Sequence, residues 1–220
     1  MNSAITIRLV LMLACALLAG CATHGRGLAV LSPAYQPKNT FSYPPALPST
    51  VLRVAVLPLT CDELRADLPD GCDALNPVLL SELAKLKKFE VVSVNRENLR
   101  SQTGRSSWTG AEMLPVEFFD SLQRTYGCDA VLFCQLTVFQ AYAPLSVGWR
   151  FKMVDVHTHQ ILWAADEVFD AGQQSVLNAA HSYQISNFRN REPDGWSIRS
   201  SPRQFGQYAA ASLLATLPER

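Results

Sequence analysis

Residues 51–59 read VLRVAVLPL, and this stretch decides how the rest of the chain is interpreted. Apart from Arg53 and Pro58 every side chain is apolar. Three of them are valine, whose branched side chain favours strands. The run has the length of a strand and is short for a helix. It therefore predicts a β-strand at the start of a folded domain.

The segments that follow alternate between helix and strand. Asn76-Pro77 supplies a capping residue and a first-turn proline. The next stretch, VLLSELAKLKK at 78–88, has apolar residues at helical spacing and ends in lysines, which suit the carboxyl end of a helix. Residues 89–94 then predict a second strand. The chain thus begins as a strand, a helix and a strand.

The remaining elements follow from the same signals. Gly127 ends one helix, and a tight turn at 157–160 joins two strands in a hairpin. We predict further strands at 129–142, 149–156 and 161–169, and helices at 96–102, 115–126, 174–183 and 202–217. The order β-α-β-α-β-β-β-α places parallel crossovers before an antiparallel meander. We therefore predict an α/β fold, a single domain at 51–220 with a mixed parallel and antiparallel sheet of about five strands covered by helices.

The first twenty residues have the pattern of a signal peptide. Arg8 precedes LVLMLACALLA at 9–19, an apolar run that is too short to span a bilayer. The sequence Leu-Ala-Gly-Cys at 18–21 resembles the lipobox of bacterial lipoproteins. The resemblance implies that Cys21 becomes the new amino terminus and carries a diacylglycerol thioether and an acylated amine, with palmitate as the expected acyl group. An ordinary secretory signal with a chance cysteine is the alternative.

The residue after the lipobox cysteine is Ala22. In enteric bacteria an aspartate there marks retention in the inner membrane, so we expect an outer-membrane anchor with the domain facing the periplasm. Residues 21–50 contain five prolines and two basic residues but no acidic one, which predicts an extended tether. Its aromatic residues Tyr35, Phe41 and Tyr43 either dock on the domain or are scattered.

Composition and motifs exclude several classes of function. The chain has 19 basic and 19 acidic side chains among 220 residues, which argues against nucleic-acid binding through overall basic charge. No apolar run reaches the roughly 20 residues that span a bilayer, which excludes a polytopic membrane protein. The motifs GxxxxGK, GxGxxG, HExxH and GxSxG are missing. We predict that the protein is not an enzyme.

The cysteines divide into two pairs once the signal peptide and Cys21 are set aside. Cys61 and Cys72 bracket an acidic loop, and the periplasm permits disulfides, so we predict a bridge between them. Cys128 and Cys134 are about 20 Å apart along one strand, beyond disulfide reach, and we predict that both are buried and reduced. Zinc-type CxxC pairs and a D-x-D-x-D-G calcium loop are missing. We predict no metal and, apart from the covalent lipid, no cofactor.

Two polar stretches combine arginine with aromatic residues, the side chains that dominate protein interfaces. The alternative for both is a solvated loop with one anchoring aromatic. The candidate partner-binding residues are Trp108, Phe188, Arg189, Arg191 and Trp196.

Four segments together resemble the periplasmic CsgG/LpoB/TolB-amino-terminal-like domains. An apolar strand ending in proline is followed by LSELAKLKKFEVVSVNRENL at 80–99, which has the helix, the F-x-V-V strand and the capped short helix of that pattern. YGCDAVLFCQLTVF at 126–139 and FKMVDVHTHQILWAADE at 151–167 are similar to its later strands. The family has an Asp-x-x-Thr-Gly hairpin there. His159 occupies the glycine position, which leaves the turn type open.

This resemblance implies a small α/β domain used in envelope assembly, without an active site. The peptidoglycan-synthase activator of the group has the same plan of lipid anchor, proline-containing tether and compact domain. The curli channel adds membrane-spanning hairpins, for which this chain has no free strands. We expect a lipid-anchored periplasmic interaction module, similar to the synthase activator or an accessory of a secretion or appendage complex. Its partners would be envelope proteins, with self-association left open. The alternative is a tethered envelope hydrolase or another enzyme without a recognisable motif.

Overall fold

The computed structural model describes residues 35–61, 68–187 and 197–220. The predicted signal peptide, Cys21 and the first part of the predicted tether lie outside the described residues. So do four of the candidate partner-binding residues, Phe188, Arg189, Arg191 and Trp196. For all of these the sequence-based predictions stay predictions.

A single mixed sheet organises the described residues, in the order β1-β7-β6-β5-β2-β4, with β3 beside β5. The pairs β2–β4, β2–β5 and β3–β5 are parallel, whereas β5–β6, β6–β7 and β1–β7 are antiparallel. The predicted α/β class with a mixed sheet is therefore confirmed. The strands are β1 (Thr40–Ser42), β2 (Arg53–Val56), β3 (Thr60–Cys61), β4 (Glu90–Ser93), β5 (Ala130–Gln140), β6 (Ser146–Asp155) and β7 (Ile161–Asp170).

The sheet has seven strands, where about five were predicted, for two reasons. The segment 51–59 does not form one strand to its end, because Pro58 has no N–H to donate to a ladder. Pairing with β5 resumes two residues later, in β3. The other additional strand, β1, comes from residues that the sequence assigned to the tether.

Within the described residues six helices connect and cover the strands: α1 (Leu68–Leu86), α2 (Arg96–Thr103), α3 (Phe118–Tyr126), α4 (Gln174–Asn187), α5 (Ser197–Ser200) and α6 (Pro202–Leu214). The predicted start of α1 at Asn76-Pro77 is wrong, because the helix begins at Leu68 and Pro77 lies inside it. Leu68 and Leu75 are fully buried in this additional part. Burial of such side chains contributes roughly 1.5–3 kcal/mol each, which helps offset the hydrogen bond that proline removes.

The ends of the shorter helices follow their sequence signals. The Asn95 side chain accepts the Asn98 N–H at 2.7 Å and caps α2, and the Ser201 hydroxyl accepts the Gln204 N–H at 3.3 Å and caps α6. Gly127, with φ +58°, ends α3 in the left-handed region that glycine tolerates. In the β6–β7 hairpin His159 also has a positive φ, +57°, a backbone conformation that glycine adopts more readily.

Two hydrophobic clusters lie on opposite faces of the sheet. The larger cluster packs α1, α4 and α6 against β5, β6 and β7. The smaller cluster packs α2 and α3 against residues of β2 and β5 and the end of β6. A buried carboxylate links the helices of the larger side, because Glu82 of α1 accepts a hydrogen bond from Gln207 of α6 at 2.7 Å and one from Tyr183 of α4 at 3.4 Å.

Residues 35–50, which we call the strap and which the sequence assigned to the tether, pack on the domain. Tyr35 packs edge-on against Phe169, with ring centroids 5.5 Å apart, and Leu47 is buried in the larger cluster. Phe41 and Tyr43 remain 53% and 61% exposed. Of the three aromatic residues whose position the sequence left open, only Tyr35 is docked.

The cysteines pair as predicted. A disulfide joins Cys61 of β3 to Cys72 of α1, with the two Cα atoms 6.4 Å apart. Cys128 and Cys134 are free and buried. Burial raises the pKa of both thiols, that of Cys128 to about 11, so both are neutral at physiological pH.

Candidate functional site

One face of the sheet is covered along only part of its width. The smaller cluster contains residues from β2, β5 and β6, but within the described part of the chain it contains none from β7 or β1. Apart from Val154 of β6, which belongs to this cluster, the side chains that β6, β7 and β1 present on this side are beyond the cover of α2 and α3. We call this region the uncovered face.

Two rows of side chains run from β5 to β1 and cross the uncovered face, although Phe133, at the β5 end of the first row, is 3% exposed and belongs to the smaller cluster. The strand register aligns Phe133 with Lys152, Lys152 with Ala164, and Ala164 with Phe41. Alternate residues of a strand point to opposite faces. Since Leu132, Cys134, Phe151 and Met153 belong to the larger cluster, their neighbours in these rows point to the other side. The first row is thus aromatic, basic, small and aromatic.

The second row lies two residues along each strand and is polar throughout. Gln135 aligns with Arg150, and Arg150 with Asp166, while the Asp166 N–H donates to the Asn39 carbonyl at 3.0 Å. Arg150 forms an ion pair with Asp166 at 2.7 Å and donates to the Gln135 amide oxygen at 3.3 Å. The side chains of Arg150 and Asp166 are 46% and 36% exposed, so they remain accessible to a second molecule.

A cavity of about 280 Å³ opens where the first row meets the loop before α3. Lys152 donates to the Gly110 carbonyl at 2.6 Å and holds this loop against β6. The approach is close, because a Cβ on Gly110 would lie 2.9 Å from Cδ of Lys152. Phe133 and Phe41 both line the cavity, which therefore combines an apolar lining with the charged groups of the second row.

Trp108, the one candidate partner-binding residue among those described, is in the smaller cluster and only 6% exposed. Its indole N–H donates to the Thr103 hydroxyl at 2.8 Å, and its ring packs edge-on against Phe118. The Arg105 guanidinium lies over the ring, 4.4 Å from its centroid, and remains accessible. The structure thus gives Trp108 a packing role. A role in partner binding stays a prediction, with Arg105 as the reachable part of the pair.

Glu167 fastens the strap to β7 from the side of the larger cluster, because the register aligns it with Trp149. Its carboxylate accepts the Lys38 N–H at 2.8 Å and the Asn39 N–H at 3.3 Å, together with a hydrogen bond from Tyr35. Burial by itself would raise the pKa of Glu167, because it disfavours the charged carboxylate. The hydrogen bonds from these three residues outweigh burial, and the pKa is lower than usual. The carboxylate is therefore a charged clamp that holds β1 in register.

We expect Glu167→Gln to loosen the strap by about 1 kcal/mol at pH 7, because hydrogen bonds to a charged acceptor are stronger than those to a neutral one. The pKa of Glu167 is lower in the folded than in the unfolded chain. The contribution of the charge is therefore complete above the unfolded value of about 4.3 and is lost as the pH falls through the folded value. Urea unfolding of wild type and variant at pH 7 and pH 3 measures the effect. A stability difference that stays constant across this range would contradict the clamp.

The uncovered face was not among the sites predicted from the sequence. The signal is nevertheless present in WRFKM at 149–153, where large apolar residues alternate with Arg150 and Lys152. This period of two indicates a strand with one apolar and one polar face. It does not show which face of the sheet the helices cover.

Two further features concern the described residues as a whole. Nowhere in the ranges 35–61, 68–187 and 197–220 do three or more His, Cys, Asp or Glu residues gather in a group that could hold a metal ion. None of the helices found there combines the length and the apolar character needed to cross a membrane.

The chain matches no family model and no curated protein, but it is similar to solved structures. A PelC dodecamer from Paraburkholderia phytofirmans is 16% identical, and the match covers 83% of this chain and 96% of that one with a TM-score of 0.50. Lipoprotein GNA1162 from Neisseria meningitidis is 16% identical over 64% of this chain and 98% of that one, with a TM-score of 0.41. The LpoB carboxyl-terminal domain from Salmonella enterica is 18% identical over 54% and 82%, with a TM-score of 0.33.

The match with PelC shows a shared fold that extends over most of both chains. LpoB and TolB, the proteins that the sequence resemblance names, are both among the matched structures, with TM-scores of 0.33 and 0.31.

Proposed function

We propose that the protein is a lipid-anchored module of the bacterial cell envelope that acts by binding other proteins through its uncovered face, without catalysis. The anchor would be Cys21, and the domain would face the periplasm from the outer membrane. The observation that carries the proposal is the pair of cross-strand rows, which leave Arg150, Asp166 and Phe41 accessible beside a cavity.

The composition of this face supports protein binding. Arginine and aromatic residues are enriched in protein interfaces, and energetically dominant residues lie in pockets that a partner closes to water. The uncovered face offers Arg150 and Phe41 around such a cavity. The fold supports the same proposal, because PelC, which has this fold, forms a dodecamer.

The compartment is supported by two independent features of the chain. The Cys61–Cys72 disulfide is of a kind that persists in the periplasm and is rare in the cytosol. The amino-terminal sequence resembles a lipoprotein signal that ends at Cys21.

Site-specific photocrosslinking in intact cells tests the proposal. A benzoylphenylalanine at Phe41 should form covalent adducts, because a bound partner excludes water from this face. The same probe at Tyr142, an aromatic residue that is 84% exposed on the β5–β6 turn, is the matched control and should form few. Equal adduct yields at the two positions would contradict the proposed surface.

The anchor is tested in the same cells. Cys21→Ser should abolish palmitate labelling and move the protein out of the membrane fraction, because the acyl chains provide the membrane affinity. It should also reduce the adducts at Phe41 if the partner is an envelope component. Palmitate labelling that survives Cys21→Ser would contradict lipidation at this residue.

A further inference from the structure

The two rows of the uncovered face have a symmetry that the function proposed above does not use. In strand order β5, β6, β7 and β1, the first row reads Phe133, Lys152, Ala164, Phe41, and the second reads Gln135, Arg150, Asp166, Asn39. Each row has residues of one kind at its two ends. The middle of the second row carries one positive and one negative charge.

Such a pattern is complementary to itself. Consider a two-fold axis that runs parallel to the strands, between β6 and β7, in front of the uncovered face. The axis brings β6 of one copy opposite β7 of the other, and β5 opposite β1. Arg150 of each copy then faces Asp166 of the other, and the amides Gln135 and Asn39 face each other. A two-fold interface requires this kind of self-complementary surface.

The first row is matched by the same operation. Phe41 of one copy, which is half exposed, faces the cavity that is lined by Phe133 of the other. Ala164 lies opposite Lys152, so the small side chain leaves room for the long one. Phe41 thus meets the cavity of the other copy at both ends of the interface, and opposite charges meet at its centre.

We propose that the partner bound by the uncovered face is a second copy of this chain, packed sheet against sheet about the two-fold axis between β6 and β7. This inference rests on the proposed function, because both use the same contact surface. It adds that a second copy of the chain occupies that surface. Three strands of ten or eleven residues and the three-residue β1, spaced about 4.8 Å apart, present on the order of 500 Å² per copy. The total of about 1,000 Å² is at the threshold for a specific interface.

Charge reversal in the purified full chain, kept in detergent micelles, tests the interface. Sedimentation equilibrium should show a wild-type dimer. Arg150→Asp places acidic groups opposite each other at two places in the dimer, and Asp166→Arg places basic groups opposite each other. Each variant should therefore dimerise about a hundredfold more weakly.

Mixing the two variants shows whether the loss of dimer affinity arises at the interface or from the ion pair that is broken within each chain. The ion pair inside each chain is broken in both variants. When Arg150→Asp meets Asp166→Arg, however, an acidic group faces a basic group at both central positions. The mixture should regain wild-type affinity and contain one chain of each kind, which two different affinity tags would detect by co-purification.

A second comparison does not depend on charged variants. Phe41→Ser should weaken the dimer because it removes the side chain that enters the partner's cavity. Tyr142→Ser, which changes an exposed aromatic residue outside the face, should leave it unchanged. If circular dichroism shows that either charge variant is not folded, the comparison of Phe41→Ser with Tyr142→Ser tests the dimer interface instead.

The outcomes distinguish this inference from the proposed function. A wild-type chain that is monomeric at 100 µM, on the order of a hundred times a micromolar dissociation constant, would overturn the second copy as occupant. So would charge variants that dimerise normally, or a mixture that fails to recover. Crosslinks from Phe41 to a different envelope protein in a monomeric chain would then leave the proposed function standing. A dimer that shows no excess of crosslinks at Phe41 in cells would contradict both the proposed contact surface and this dimer interface.

Discussion

Phe151→Ala should lower the free energy of unfolding by about 3–5 kcal/mol, the range for removing a buried phenylalanine side chain. Phe151 is 1% exposed on β6, in the larger cluster. Its ring stacks between Trp149 and Trp163, with centroids 5.7 Å and 5.9 Å away and interplanar angles of 20° on both sides. Alanine would leave a cavity between two indoles that the sheet holds apart, so the neighbours have little freedom to close it.

Urea unfolding of the full chain, followed by tryptophan fluorescence, measures this loss. Tyr142→Ala is the matched control, because it removes an exposed aromatic side chain and should change the stability by less than about 0.5 kcal/mol. A loss below about 1.5 kcal/mol for Phe151→Ala would show that Trp149 and Trp163 are not packed around it as described.

Removal of the Cys61–Cys72 disulfide is expected to have the second-largest effect, a loss of about 3 kcal/mol. The bond joins β3 to the early part of α1 across a sequence separation of 11 residues, so it restricts the unfolded chain. It also keeps the amino-terminal part of α1, with the buried Leu68 and Leu75, close to the sheet. The variant that carries both Cys61→Ser and Cys72→Ser should show the whole loss.

Reduction supplies the control for this prediction. Dithiothreitol should destabilise the wild type by the same amount as the double substitution and should leave the double variant unchanged. Cys128 and Cys134 do not complicate the experiment, because both are buried with raised thiol pKa values and should react with iodoacetamide only after unfolding. If the reduced wild type keeps its full stability, the disulfide does not restrict the chain as we infer.

Predictions from the sequence were correct where the residues that give the sequence signal also make the contact that forms the helix end or turn. Asn95 and Ser201 cap helices with their own side chains, and Gly127 ends α3 because it adopts a positive φ. The β6–β7 hairpin was predicted from a tight turn between apolar runs. In each case the residues that make the contact are within four positions of one another or in adjacent strands.

Sequence reasoning failed where contacts between distant parts of the chain decide the local structure. Asn76-Pro77 is a sound start signal, but α1 begins earlier because Leu68 and Leu75 find a core to pack against. The strap has the composition of a tether and still docks on the domain. Its hydrogen bonds go to Glu167, which is more than a hundred residues away in sequence.

The candidate site could likewise be predicted only in part, because some of its features are local and others depend on contacts between distant residues. The alternation of Arg150 and Lys152 with large apolar residues indicates a strand with one polar face. That Arg150 lies beside Asp166 follows only from the β6–β7 register, and that Phe41 completes the first row follows only from the docking of the strap. The prediction that singled out Trp108 relied on residue type alone, and the structure places that side chain in a core.

Periodicity, turn residues, cysteine spacing and a short targeting pattern were enough to predict the class of the fold, its main helices and strands, the disulfide partners and an anchored envelope protein. The start of α1, the strand added by the strap and the uncovered half of one sheet face became evident only from the folded chain. These three features depend on the burial of apolar surface and on cross-strand register. Both are properties of residues brought together from distant parts of the chain.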